Sequence, residues 1–175
     1  MINSISLYIN NYIVPFPNND LPGEHHFVAL YLVPKIYKLL NKIPNWVNPD
    51  GMKRKPGDII YDDLSIEVKY LKINLTKTQY NEWIIGNKKK PNILIALGRK
   101  TICIINWERF VKYYQYILKT KNKKIVPYKS GYTPLINTDI LADYCIPDEE
   151  CFKISENNIE RKIENRIKEI FSSQV

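Results

Sequence analysis

The sequence predicts an α/β (α+β) domain built on a central mixed β-sheet flanked by helices. Three observations carry that expectation. Residues 93–97 read Ile-Leu-Ile-Ala-Leu, apolar throughout, the pattern of a strand covered on both faces. Residues 58–71 switch to a period of two on either side of Asp62-Asp63, the pattern of a β-hairpin. Helical spacing brackets both, from Phe27 to Leu32 and again at Ile159, Ile163, Ile167, Ile170 and Phe171.

In chain order, Ser4 to Val14 alternates loosely and is expected to be a strand, ended by Pro15, Pro17 and the Asn18-Asn19-Asp20 cluster. Asp20 suits a helix N-cap, with Pro22 and Glu24 in the first turn. Pro34 is expected to break or kink that helix, with a second piece from Lys35 to Lys42. The stretch 44–56 holds three prolines, Gly51 and the cluster Lys53-Arg54-Lys55, and reads as a loop. Asp58–Tyr61 and Ser65–Leu71 form the hairpin. Leu75 to Ile85 is helical and is closed by the basic loop Lys88-Lys89-Lys90-Pro91. Strands Asn92–Leu97 and Thr101–Ile105 follow, joined by Gly98-Arg99-Lys100. Asn106 is expected to cap a helix through about Lys119, Lys121 to Gly131 is a basic turn-rich excursion, and Ser155 is expected to cap the C-terminal helix. With no internal repeat and no linker, residues 1–175 read as one domain, with a helical extension over about 155–173.

Composition narrows the function classes. Lys and Arg number 26 against 18 Asp and Glu, a formal net charge of +8, which favours an anionic partner, nucleic acid being the commonest. A Lys-rich codon bias is the alternative source of that charge, since Ile, Asn and Tyr are abundant too. An apolar content of 45% argues against global disorder, and no apolar run reaches the roughly 18 residues of a membrane span. The N-terminus lacks a basic n-region and a small-residue cleavage site, so no secretory signal is expected. Cys103, Cys145 and Cys151 form no CxxC pair and the only histidines are His25 and His26. Buried thiols in a reducing cytoplasm are expected rather than a zinc site.

The chemistry concentrates in the hairpin. Side chains two residues apart on a strand share a face, so Glu67 and Lys69 project together while Ile66, Val68 and Tyr70 point the other way. The hairpin brings Asp58 close to Glu67. Two carboxylates and an ammonium at one end of a sheet suit a hard divalent cation, Mg²⁺ or Mn²⁺, with the Val68 carbonyl as a further oxygen. Lys69 beside such a cation is placed to hold or help deprotonate a water and to offset charge building on a phosphate.

Asp58 with Glu67-Val68-Lys69 resembles the D…ExK signature of the PD-(D/E)xK nuclease superfamily, the restriction-endonuclease-like fold that also includes Holliday-junction resolvases. Gly57 stands where the pattern often has proline, with Pro56 one position earlier. The resemblance covers about residues 20–107. It implies a further acidic ligand on the preceding helix, for which Glu24 stands, and a glutamine on the helix after the ExK strand, for which Gln79 stands. It implies a Mg²⁺-dependent endodeoxyribonuclease of restriction, defence or recombination type that leaves a 5′-phosphate. A junction-resolving or repair nuclease of the same fold, or an exonuclease, is an alternative within the family. A non-catalytic nucleic-acid-binding protein is the alternative outside it.

Each residue also has a plainer role open to it. Glu67 and Lys69 fit the solvated face of an edge strand, Asp58 a turn that caps its own backbone, and Glu24 an acid favoured by the helix dipole. Gln79 on a helix needs no special explanation. Lys53, Arg54 and Lys55, immediately before Asp58, and Lys88, Lys89 and Lys90 are candidate contacts to DNA phosphates, as is the stretch from Lys119 to Lys129, with solvated loops as the alternative. Tyr113, Tyr114 and Tyr116 are expected in the core rather than stacked on bases. Cleaving both strands of a duplex asks for two active sites, so a homodimer is expected, with the apolar stripe of the C-terminal helix as candidate interface or as cover for the chain's own core.

Overall fold

The computed structural model of the chain describes residues 24, 27–46, 57–120 and 133–172. The expected N-terminal strand, the Asp20 cap, His25 and His26, the Lys53-Arg54-Lys55 cluster and the 121–131 excursion lie outside the described residues. The rest is a mixed α/β arrangement around a six-stranded sheet.

The strands are β1 (Asn45–Trp46), β2 (Ile59–Tyr61), β3 (Leu64–Tyr70), β4 (Lys72–Ile73), β5 (Ile93–Leu97), β6 (Thr101–Asn106), β7 (Ile136–Asn137) and β8 (Cys151–Lys153). The main sheet runs β1-β2-β3-β5-β6-β8, and β4 pairs separately with β7. Of its pairings, β3 with β5 is parallel and the others are antiparallel. The β2–β3 turn is tight, with Asp62 in the left-handed region at φ 52°. All five residues of β5 are buried, as its unbroken apolar sequence requires of a strand with helices on both sides.

The first helix, α1, opens with a π-helical turn, Val28–Leu32, and continues as Val33–Leu40. Pro34 therefore neither ends nor splits it. Proline cannot donate the bond to the carbonyl four residues back, and the widened turn just before it, closed by Val33 N–H to the Val28 carbonyl, absorbs the misfit. Asn41 in the left-handed conformation stops the helix at Leu40, two residues short of the expected Lys42. The others are α2 (Lys77–Gln79, then a wide turn Tyr80–Ile85), α3 (Trp107–Thr120), α4 (Thr138–Ala142) and α5 (Ile159–Ser172). Asn106 ends β6 and immediately precedes Trp107, the first residue of α3, the position expected of its cap. The expected Ser155 cap is corrected: it lies in the turn four residues ahead of α5.

The sheet separates two apolar layers. On one side Ile66, Val68, Ile95, Leu97, Ile102 and Ile104 pack against α1 and α5. On the other, Leu94, Ala96, Cys103 and Ile105 pack against α2, α3 and α4, where Trp83, Trp107, Phe110 and Tyr114 form a run of ring contacts. Tyr114 is buried while Tyr116 is 55% exposed. The α5 stripe, Ile159 to Phe171, is at most 4% exposed, so it covers the chain's own core and is not available as a subunit interface. Lys35 ties α1 to α5, with Nζ 2.9 Å from both Glu160 and Glu164. The three cysteines are buried and free. Among the described residues no helix is long and apolar enough to cross a membrane.

Candidate functional site

Asp58 reaches its place through Gly57, whose φ of +86° only glycine adopts without strain and where a Cβ would lie 2.9 Å from the Ile66 carbonyl oxygen. Asp58 N–H then donates to that carbonyl at 2.7 Å, and Asp58 Oδ2 accepts from Val68 N–H at 2.7 Å. The carboxylate thus takes over the β3 edge where the backbone of β2 stops pairing with it. The ladder pairs Ile59 with Ile66 and Ile60 with Ser65. The ladder ends there, and the bonds of Asp58 to the Ile66 carbonyl and the Val68 amide bracket Glu67 along β3. Both carboxylates are only 1% exposed.

The face they occupy follows from the next strand. Glu67 pairs with Leu94 and Lys69 with Ala96, so both project into the layer covered by α2, α3 and α4, while Ile66 and Val68 fill the α1–α5 layer. Burial declines along β3. Leu64 through Val68 are buried, whereas Lys69, Tyr70 and Leu71 are half-buried, so the site opens towards the C-terminal end of this strand. At that end Leu71 N–H bonds the Leu97 carbonyl, which fixes the β5–β6 turn beside the opening. Burial raises the Tyr70 phenol above its ordinary pKa and the positive charge of Arg99 opposes that rise; Tyr70 packs in the α1–α5 layer, on the other face from Lys69.

Chemically, two same-sign charges at neighbouring buried positions are costly unless a cation shares them. Oxygen donors from Asp58 and Glu67, with the Val68 carbonyl on the same strand edge, are the donor set a hard divalent ion takes, and they fit Mg²⁺ or Mn²⁺. Among the described residues no three His, Cys, Asp or Glu side chains come together as a metal cluster. Glu24 is half-buried, and it is not gathered with the other two acids into a group of three. Gln79 lies on α2, over the same layer as Glu67 and Lys69. Its Oε1 accepts from Thr76 N–H at 3.1 Å while its own N–H donates to Thr76 Oγ1 at 3.0 Å, a reciprocal capping box that starts the helix.

Lys88, Lys89 and Lys90 precede β5 and so lie at the opposite end of β3 from the opening, where Asn92 exchanges hydrogen bonds with Ser65. Lys90 is paired with Glu108 at 3.3 Å. The basic residues at the open end, Arg99 and Lys100, carry no signal in the local sequence beyond a short Gly-containing turn. Their position depends on parallel pairing between strands 27 residues apart, as in Ile66 with Ile93. No protein-family model matches the chain, and no curated protein or solved structure matches it either.

Proposed function

We propose that the protein is a metal-dependent DNA endonuclease with a restriction-endonuclease-like core. The observation that carries this reading is a buried carboxylate, Asp58, bonded to the backbone on either side of a second, Glu67, with Lys69 two residues on towards the open end. Asp58, Glu67 and the Val68 carbonyl would hold Mg²⁺, which would supply Lewis acidity towards a phosphate oxygen and a water. The bond from Val68 N–H fixes Asp58 in place before any ion arrives, so the site is preorganised on its protein side. The Lys69 ammonium orients the attacking water and balances the negative charge that builds on the phosphate as the P–O bond breaks. Gln79 has no part in this reading because it caps α2, and Glu24 is not gathered with Asp58 and Glu67. Action on both strands of a duplex asks for a second copy of the chain or a second binding event.

The decisive experiment incubates plasmid, linear duplex and four-way-junction DNA with wild type and with Lys69→Ala, in Mg²⁺ and in EDTA. Wild type cuts only with metal, and Lys69→Ala loses about 10²-fold or more in rate. The preferred DNA form separates a restriction-type enzyme from a junction-resolving one. A wild-type protein that binds every form yet leaves all intact in Mg²⁺ and Mn²⁺ sinks the enzyme reading. Metal binding has its own readout: Mg²⁺ raises the melting temperature of wild type by mass action, and Asp58→Ala removes that rise.

Binding without cleavage is the second reading. It is favoured by the Asp58 to Val68 bond, which completes the β3 edge as a purely structural cap would. On that reading Asp58→Asn destabilises the fold and leaves the metal response unchanged.

A further inference from the structure

At the open end of β3 stands a feature that the carboxylate pair does not explain. The β5–β6 turn, Gly98-Arg99-Lys100, is held by one side chain from α4. Asp139 Oδ2 accepts from Arg99 N–H at 3.2 Å, and Oδ1 accepts from Lys100 N–H at 3.2 Å, Thr101 N–H at 3.1 Å and the Thr101 hydroxyl at 2.7 Å. A Cβ at Gly98 would collide with that carboxylate, so glycine is required for the turn to sit so close. The successive N–H groups form a concave anion-binding nest, and this chain fills it with its own Asp139. The backbone of the turn is thereby fixed while the side chains of Arg99 and Lys100 stay exposed.

Of the cations elsewhere in the fold, Lys35, Lys38, Lys42, Lys90, Arg109, Lys162 and Arg166 are each paired with an acid. Among the described residues neither Arg99 nor Lys100 forms an ion pair. Lys69 is two residues, roughly 7 Å of strand, from Leu71, whose N–H bonds the Leu97 carbonyl next to Gly98.

We propose that this turn is a phosphate clamp for the DNA strand entering the site: Arg99 takes one backbone phosphate through its planar fork, Lys100 takes a neighbouring one, and Asp139 is the strut that holds both in register with Lys69. Arginine matches the bidentate geometry of phosphate oxygens, and lysine adds a point charge. The contacts are to the backbone and carry no base specificity. The proposal rests on the nuclease reading and deepens it by naming how the substrate is positioned.

The test uses the full chain. Affinity for a duplex oligonucleotide is measured by fluorescence anisotropy in EDTA, over a series of salt concentrations, for wild type, Arg99→Ala/Lys100→Ala, and Arg161→Ala/Lys168→Ala. The last pair removes the same charge from the exposed side of α5. Losing two phosphate contacts lowers the slope of log K against log salt by about 2, and the α5 pair leaves it unchanged. Asp139→Ala is the sharper variant. It removes a negative charge near the DNA, so charge alone tightens binding, whereas a lost strut lowers kcat/KM in Mg²⁺ about 10-fold with the salt slope kept. Equal slopes for the turn and α5 variants overturn the clamp, as does an Asp139→Ala protein that is folded by circular dichroism and cuts as well as wild type. A wild type that cuts while the clamp tests fail leaves the nuclease reading standing. A wild type with no salt-dependent DNA affinity overturns both.

Discussion

Two sets of buried carboxylates in this fold are handled in opposite ways. Glu150, 3% exposed, is met on every side by donors: the Arg109 guanidinium, the Tyr113 hydroxyl at 3.0 Å and Ile146 N–H at 2.9 Å. Burial by itself pushes its pKa up, and Arg109, the Ile146 amide and Tyr113 outweigh burial and hold it below the ordinary value. That acid fixes the loop before β8 onto α3. Asp58 instead accepts from a strand amide, Val68 N–H, and its bonds to Ile66 and Val68 bracket a second buried carboxylate, Glu67. Glu150 is a structural acid ringed by positive and donor groups, whereas the proposed metal site brings two carboxylates to one strand edge. The second arrangement is what a divalent cation needs, and this difference separates the proposed site from the rest of the molecule.

The largest expected effect tests the pair directly. Glu67→Gln removes one of two adjoining charges at nearly constant shape. Metal-dependent cleavage falls by about 10²-fold or more, while the metal-free melting temperature stays the same or rises as like-charge repulsion is relieved. A clear loss of thermal stability in Glu67→Gln places Glu67 with Glu150 as a structural acid, and the contrast between the two sets is then gone.

Glu150→Gln runs the other way. It leaves the Arg109 guanidinium without its carboxylate and weakens two further hydrogen bonds, at a cost of about 2 kcal/mol, or roughly 4–8 °C in melting temperature for a chain of this length. The sign with pH follows from a lowered folded-state pKa. The stabilisation is complete above the ordinary carboxylate value of 4.5 and is lost as pH falls through the folded-state value. Urea unfolding therefore shows a large gap between wild type and variant at pH 7 that closes in strong acid. A gap independent of pH means that packing, not charge, is what the substitution removed.

A smaller effect is expected where α1 meets α5. The bond from Lys35 lowers the Glu164 pKa and outweighs its desolvation, and the carboxylate remains 24% exposed. Glu164→Gln costs about 0.5–1 kcal/mol near neutrality, again fading as pH falls below the ordinary carboxylate range. High salt weakens this pair more than the buried Glu150 network. Equal salt sensitivity of the two variants contradicts the difference in exposure.

How much of this was legible in the sequence depends on whether the cause was local. The Asp62-Asp63 hairpin and the buried β5 strand announce themselves by period and composition, and the α5 stripe by its 3.6-residue spacing. Strands of two or three residues such as β4, β7 and β8 have no room for a period and exist because tertiary pairing makes them. Pro34 read as a break or a kink because the widened turn that accommodates it leaves no mark in the sequence. Asp58, Glu67 and Lys69 were readable because a hairpin converts spacing into proximity. Arg99 and Lys100 were not, since their relation to Lys69 runs through the parallel β3–β5 register. The anchor of their turn, Asp139, lies 40 residues further along the chain.

Gln79 gives the smallest effect and the finest discrimination. Thr76-Lys77-Thr78-Gln79 is a capping-box sequence, and both of its reciprocal bonds are formed, so the Gln79 carbonyl oxygen is engaged at the start of α2. Replacing it by alanine removes the bond to Thr76 N–H but keeps the cap accepted by Thr76 Oγ1, which limits the loss to about 0.5–1 kcal/mol. Gln79→Glu retains the acceptor and adds a negative charge in the first turn, where the helix dipole favours it, so stability recovers. If Gln79 acts only as a cap, cleavage at a temperature well below melting is unchanged in both variants. If the residue contacts the reacting phosphate, the order reverses: Gln79→Glu places a third negative charge over the layer that holds Asp58 and Glu67 and is the more damaging of the two for cleavage, although it is the more stable protein. Measuring both variants for melting temperature and kcat/KM therefore assigns Gln79 to the fold or to the chemistry.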